Sequence, residues 1–474
     1  MSEARRVGLN TIFNAIGGVS VQVLAIVTGV FVARHFGSES FGQLTLAATI
    51  TGYFTLVTEF GLSTIAIRVV ARTGAPERYI WSYLVVRLFL ALLALIILGG
   101  IMLMVRFPQD TAWLLVAYGA TIPLQTLRVN WIFYARQQMF YDNLLQVAEK
   151  IAYALGLFSL IFFIKWIILV PVALIISTLF AAALGWLLFL RQGERPVTCK
   201  LDWAFIREII GQGWPVGVGG AALRVNTNAD AIFVNAYHGD VQTGLYGAAY
   251  RLINAIITAG TFFTNAVFPL SCKRYRESIP VLADFIGYAS KLLLLVTMPA
   301  VMLLSVMSEE IIGLVFGPGY AGSALPFRLL VWAAGLAIIC RLYHNTLVAC
   351  ERQYVLMKIF VSSAVFNIVC NFILIPPYGM VGAAAATILT ELLLLLLAYS
   401  ALSRVLRLKV WSASASVIGC TGLASVAFLL PVPVFVKPPL FLAGYLVTLL
   451  VFRVWGEREW QLVQVMLGKG LTSS

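Results

Sequence analysis

Within one long apolar stretch, four polar side chains recur at every second residue: Arg224, Asn226, Asn228 and Asp230. After a Gly-Asp pair at 239–240 come Tyr246, Tyr250, Arg251 and Asn254. An arginine suits phosphate, because its planar fork donates two hydrogen bonds at once and keeps its charge when desolvated. Amides and phenols suit uncharged polar cargo, and a carboxylate among them suits a proton or a cation. On a helix each residue turns about 100°, so Arg224 and Asn228 share one face and Asn226 and Asp230 a nearly opposite one. A helix polar on two faces cannot show either to lipid. It must have water or protein on both sides, as a cavity-lining helix does.

Similar groups recur elsewhere. Tyr83 and Arg87 are four residues apart, as are Arg341 and Asn345, with His344 beside them, and Asn367 and Asn371. Glu391 lies in an otherwise apolar run with Thr387 one turn earlier. Structural readings stand beside the functional ones. Arg87 and Arg341 sit near segment ends and can snorkel to the interface. Arg251 can form a fixed bridge to Asp230, and Glu391 can bond a neighbouring helix. His344, Glu149 and Lys150 read as structural. The glycines at 217, 219 and 220 permit bending. They do not make a phosphate loop, since no strand precedes them and no Lys-Ser/Thr follows.

The elements that position these groups are membrane helices. Of 474 residues, 61% are hydrophobic and 11% charged, against about 45–50% and about 25% in soluble domains. Windows of about 20 apolar residues mark about fourteen spans: 10–32, 41–60, 79–105, 111–129, 143–164, 167–190, 215–237, 243–270, 292–315, 325–349, 354–375, 381–402, 417–434 and 440–454. The net charge of +13 is not a nucleic-acid footprint, because the basic residues fall in small groups between apolar runs. With the N-terminus inside, about twenty of them lie in inside connections and four (Arg34, Arg106, Lys165 and Lys437) in outside ones. That bias persists to the end and favours both termini inside. The first run lacks a cleavage site and reads as an uncleaved span. The cysteines have no disulfide or zinc spacing, and no metal or cofactor is expected. Residues 191–213 read as an amphipathic helix on the inner face, and 455–467 as a second surface helix.

An ungapped internal repeat orders the map. Residues 30–47 (VFVARHFGSESFGQLTLA) align with 232–249 (IFVNAYHGDVQTGLYGAA). Gly37 matches Gly239 and Gly42 matches Gly244. The shift crosses an even number of spans, so both copies enter the membrane in the same direction, with a cargo site expected between the halves. The organisation read from this is all-α: a six-helix bundle over 1–190, a connector at 191–213, a second six-helix bundle over 214–406, and two extra helices with a tail over 410–474.

ARHFGSESFGQLTLA with EFGL at 59–62, TGLYGAAYRL at 243–252, GLVFGPGYAGSALPFRLL at 313–330 and NFILIPPYGMVGAAAATILTE at 371–391 resemble the bacterial polysaccharide flippases of the multidrug/oligosaccharidyl-lipid/polysaccharide exporter superfamily. These motifs cover nearly the whole chain. The resemblance implies a non-enzymatic carrier of undecaprenyl-pyrophosphate-linked oligosaccharide (an O-antigen or capsule repeat unit) in the inner membrane, cycling by alternating access. For such a cargo, the buried polar residues read as one surface, with Arg224, Arg251, Arg87 and Arg341 expected at the pyrophosphate. Asn226, Asn228, Tyr246, Tyr250, Asn254, Asn367 and Asn371 are expected at the sugars, and Asp230 and Glu391 at a coupling proton or cation. Expected partners are the lipid-linked oligosaccharide, membrane lipids, a polysaccharide polymerase and a chain-length regulator, and no nucleic acid. Two alternatives share the fold. A lipid II flippase carries charged residues in its first helix, where this chain has only Asn10, Asn14 and Gln22. A multidrug or small-cation exporter needs an acidic cavity, whereas the buried set here is net basic. A membrane polymerase or glycosyltransferase is disfavoured by short outer loops and the lack of an Asp-x-Asp pair.

Overall fold

The computed structural model describes residues 3–193, 201–406, 411–430, 433, 436–452 and 454. Every regular element among the described residues is helical: α1 (Glu3–Glu59), α2 (Leu62–Thr73), α3 (Pro76–Met104), α4 (Gln109–Gly119), α5 (Thr121–Thr126), α6 (Asn130–Ala135), α7 (Met139–Phe163), α8 (Leu169–Arg191), α9 (Trp203–Glu277), α10 (Ile279–Val306), α11 (Ser308–Phe316), α12 (Ala324–Ala349), α13 (Gln353–Ser403), α14 (Trp411–Ala424) and α15 (Lys437–Val451). Among the described residues, eight helical segments are long and apolar enough to cross a membrane, so the protein is a multi-pass membrane protein. The surface has the matching character. On α3, Val85, Leu88, Phe89, Leu92 and Ile96 are exposed, while Tyr83, Val86, Arg87, Ala91 and Ala94 are buried. In water that exposed face would be costly; against acyl chains it is the solvent-matched one.

Three helices are longer than any bilayer needs. At 57, 75 and 51 residues, straight rods of α1, α9 and α13 would run about 85, 112 and 76 Å, against an apolar core of about 30 Å. Each is two helices meeting at a glycine with positive φ: Gly37 (φ 79°), Gly239 (φ 75°) and Gly379 (φ 55°). The six arms are the spans expected at 10–32 and 41–60, 215–237 and 243–270, and 354–375 and 381–402. Only glycine takes that conformation at little cost.

The aligned repeat reappears as geometry. Gly37 and Gly239 share not only φ but an extended ψ, 175° and −172°. Five residues on, the copies meet. A Cβ on Gly42 would collide with the Asp240 carbonyl, and one on Gly244 with the Ser38 carbonyl. Ser38 and Asp240 are themselves equivalent in the alignment, so the contact is reciprocal, as a local two-fold demands. One turn later Thr45 packs on Gly247, its own counterpart, where a Cβ would sit 2.7 Å from the Thr45 hydroxyl.

Three segments depart from the sequence reading. The span expected at 111–129 is broken after Gly119, because Pro123 has no N–H to offer and its ring crowds the carbonyl four residues back. The span expected at 292–315 starts earlier, at Ile279, where Ser278 caps the helix by accepting from the Val281 amide at 3.4 Å. It ends at Val306, and α11 opens separately with Glu309 and Glu310 in its first turn, where acidic residues favour a new start. Third, the connector is not a separate surface helix. Its described part runs unbroken from Trp203 into α9. Its apolar residues Phe205, Ile206 and Ile209 are buried in a core with Ile65, Val69, Tyr79 and Ile80 of α2 and α3, not laid on lipid. Residues 194–200 and the surface helix expected at 455–467 lie outside the described residues.

The chain packs as two compact units, one of residues 1–248 with 371–380 and one of 249–370 with 381–474. In the second, α10 is the spine, with Leu292–Leu295, Ile338, Tyr343, Leu394 and Ala398 in one cluster. The C-terminal helices join it through Val417, Cys420, Phe441 and Tyr445, and the Tyr445 hydroxyl donates to the Leu295 carbonyl at 2.9 Å.

Candidate functional site

The helix face that carries Arg224 and the one that carries Asp230 have different fates. Asn226 and Asp230 are buried, 2% and 1% exposed, while Arg224 is exposed and Asn228 half-buried. Arg224 reaches into a cavity of about 350 Å³ with Thr51, Gly52, Thr55 and Glu59 of α1, Thr121 and Gln125 of α5, and Tyr118 of α4. Gly52 makes the room: any Cβ there would collide with the Arg224 guanidinium. The Tyr53 hydroxyl donates to the Arg224 carbonyl at 3.2 Å. Among the described residues the guanidinium forms no ion pair.

A second cavity, of about 290 Å³, adjoins the first and shares Glu59 and Gln125 with it. Its wall includes Tyr83, Arg87, Arg128, Asn130, Trp131, Tyr134, Asp142 and Gln146. Arg87 does not snorkel. It is 4% exposed, pairs with Glu59 at 3.4 Å and lies 5.4 Å from the Tyr83 ring centre. Arg128 pairs with Glu149 at 3.0 Å, and Glu149 also accepts from Thr178 at 3.4 Å. Asp142 accepts from the side-chain amides of Asn130 at 3.0 Å and Gln146 at 2.9 Å. Two of the three arginines in these walls are therefore neutralised by carboxylates, and Arg224 is not.

Asp230 has its own setting. It accepts from the Tyr246 hydroxyl at 2.8 Å and from the Asn371 amide at 2.6 Å. Charge-assisted bonds of this kind are what make a buried carboxylate tolerable. The structure thus joins three residues that the sequence distributes between two roles. The Gln242 side chain accepts from the Met380 amide at 3.1 Å, and the His238 Nε2 lies 2.8 Å from the Ile375 carbonyl. Both tie the Gly239 kink to the Gly379 kink.

In the second unit, the buried Asn367 donates to Thr390 at 3.1 Å. Asn345 donates to the Thr264 carbonyl at 3.4 Å. His344 contacts the Cys340 sulfur at 3.1 Å and meets Phe360 edge-on. Arg341 and Glu391 are near enough to interact electrostatically. Tyr250, Arg251, Arg341 and Glu391 are half-buried and Asn254 is exposed.

Sequence reasoning did not pick out Gln125, Arg128, Asn130, Asp142 or Gln146, and met Glu59 only inside a motif. One signal was present: Asp142, Gln146 and Glu149 fall at i, i+4 and i+7, one face of a helix. Their partners are separated from them along the chain, so only the fold shows the network.

The comparisons with known proteins agree with this architecture. A putative O-antigen transporter of Escherichia coli (strain K12) is 19% identical over 400 residues, covering 81% of this chain and 94% of that protein. A probable low-salt glycan biosynthesis flippase, Agl15, of Haloferax volcanii is 26% identical over 166 residues, 34% of each chain. The structure superposes on the lipid II flippase MurJ in an inward closed conformation with a TM-score of 0.77 and 14% identity, covering 93% of this chain and 98% of that one. The family model described as "Polysaccharide biosynthesis protein" matches residues 7–273, more than half the sequence and every residue that lines the two cavities. The chain belongs to the polysaccharide biosynthesis protein family.

Proposed function

We propose that this protein is a flippase that moves an undecaprenyl-pyrophosphate-linked oligosaccharide from the cytoplasmic to the outer leaflet of a bacterial inner membrane. It works by alternating access between the halves 1–190 and 214–406, with both termini in the cytoplasm. The observation that carries this is Arg224: a guanidinium open to a cavity between apolar helices and, among the described residues, in no ion pair. Holding such a charge there is costly unless an anion uses it. The pyrophosphate of a lipid carrier is an anion of that kind, and the fork of arginine matches it. A small-cation exporter would meet repulsion at the same place. Arg251 and Arg341 are the further cations of the headgroup path, Arg87 being bound to Glu59. Asp230 is the coupling acid, with Tyr246 and Asn371 setting its environment, and Glu391 its counterpart in the second unit. A polysaccharide polymerase and a chain-length regulator would act on the delivered cargo.

The test is surface polysaccharide in cells carrying Arg224→Ala. Loss of the polymer at unchanged protein level is the expected result. Arg224→Lys retains the charge without the fork and restores only part of it. A fully active alanine variant would reject the site.

A further inference from the structure

We propose that the cavity of about 290 Å³ beside Glu59 is a saccharide subsite, which seats the first sugar of the cargo, the one bonded directly to the pyrophosphate. This rests on the function proposed above and assigns residues that the arginine cavity does not explain.

The charge balance separates the two cavities. In the smaller one, Arg87 is paired with Glu59 and Arg128 with Glu149. The charge left over is the carboxylate of Asp142, which already accepts from two amides. An anion gains nothing from such a wall. A polyol does, because each hydroxyl both donates and accepts. Asn130 and Gln146 are oriented by Asp142 through their nitrogens, which leaves their carbonyl oxygens as fixed acceptors. Donors are present too. Among the described residues the Gln125 amide and the Tyr134 hydroxyl of this wall have no hydrogen-bond partner, so each is open to a ligand hydroxyl.

The rest of the wall fits a sugar ring. Trp131 packs on Tyr83 at 4.5 Å between ring centres with the planes tilted by 42°, and Tyr134 is 47% exposed. An aromatic face held in place covers the C–H face of a pyranose while the polar groups read its edge. The volume suits one small ligand, near the lower end of ligand pockets, which begin at about 300 Å³. Position completes the argument. The two cavities share Glu59 and Gln125, so a ring here stands next to a pyrophosphate at Arg224, as the covalent link between them requires. The subsite therefore determines which first sugar is accepted.

Gln125 and Tyr134 allow a test, since among the described residues neither side chain has a hydrogen bond to lose. The full chain in detergent would be titrated with two kinds of probe. One is a panel of methyl glycosides of glucose, galactose, N-acetylglucosamine, N-acetylgalactosamine and rhamnose. The other is farnesyl pyrophosphate, which has the anion and no sugar. At least one glycoside is expected to saturate the wild type. Tyr134→Ala and Gln125→Ala should each weaken it about tenfold, and Tyr134→Phe, which keeps the ring, by no more than about twofold. The two Tyr134 variants, whose residue lines only the smaller cavity, should bind farnesyl pyrophosphate like the wild type, and all three should melt at its temperature. Arg224→Ala should behave in reverse, keeping the glycoside and losing farnesyl pyrophosphate. If no glycoside saturates the wild type, or if Tyr134→Ala and Gln125→Ala bind it undiminished, the subsite is overturned. Farnesyl pyrophosphate binding that ignores Arg224→Ala would overturn the function proposed above instead, and leave the sugar result standing by itself.

Discussion

Asp230 shows how much a single buried charge depends on its neighbours. Its carboxylate takes one hydrogen bond from Tyr246 and one from Asn371. Tyr246→Phe removes a bond to a charged group while keeping the ring, so it should lower the stability of the detergent-solubilised protein by about 1.5–3 kcal/mol. Thermal unfolding would measure this, and an unchanged melting temperature would show that the bond contributes nothing. The two-faced character of this helix was legible from residue spacing alone: at about 100° per residue Arg224 and Asp230 lie about 120° apart around the axis, and their exposures differ accordingly. What lay beyond reach was the partner of each group. Tyr246 and Asn371 look like generic cargo ligands in a sequence, since nothing local ties position 371 to position 230. Glu59 was hidden for a similar reason. Its ion pair with Arg87 is made between α1 and α3, and hydropathy is blind to it.

At the scale of helices, glycine decides where elements touch. Gly244 lies against the Ser38 carbonyl, whereas Gly99, inside α3, has open space around it. Gly244→Ala should therefore impair folding, with yield and melting temperature both falling. Gly99→Ala should be neutral or stabilising by up to about 1 kcal/mol, because alanine is the better helix former. Equal effects from the two substitutions would contradict the crossing. The start of α9 offers a pH prediction. Asp202 accepts from the Phe205 amide at 3.0 Å and pairs with Arg78 at 2.9 Å. The amide first, and then Arg78, hold its carboxyl below the usual aspartate value. A group held low in the folded state stabilises above its unfolded value, and that contribution fades as pH falls through the folded one. Docking of this segment, followed by limited proteolysis, should thus be insensitive to pH from neutrality down to about 5 and weaken only in stronger acid. Asp202→Asn should weaken it at neutral pH, and the difference from the wild type should close in strong acid. The alignment of 30–47 with 232–249 made both kinks legible in the sequence. The break at Gly119 was less visible, although Pro123 is its cause, because a membrane helix often absorbs a proline.

For the molecule as a whole, basic residues and apolar length set the reading. The orientation proposed from the distribution of arginine and lysine has a direct check. In a chain freed of its native cysteines, Arg106→Cys and Lys165→Cys should react with a membrane-impermeant maleimide added to the periplasmic side, and Arg276→Cys only after lysis. The opposite pattern would invert the protein and with it the direction of transport. Fold and family were legible at this scale because motifs recur in order along nearly the whole chain. The division of labour between an anion cavity and a neutral one was not, because it depends on which charges cancel.

The mirrored glycine contact also limits how the protein can move. Each carbonyl, Ser38 and Asp240, rests in a notch made by the other copy's missing side chain. Sliding either helix along its axis by one residue would push Phe41 or Thr243 into that notch, where neither fits. The packing of Thr45 on Gly247 one turn on holds the same crossing. The joint is thus a fixed register between the two copies, set inside one compact unit.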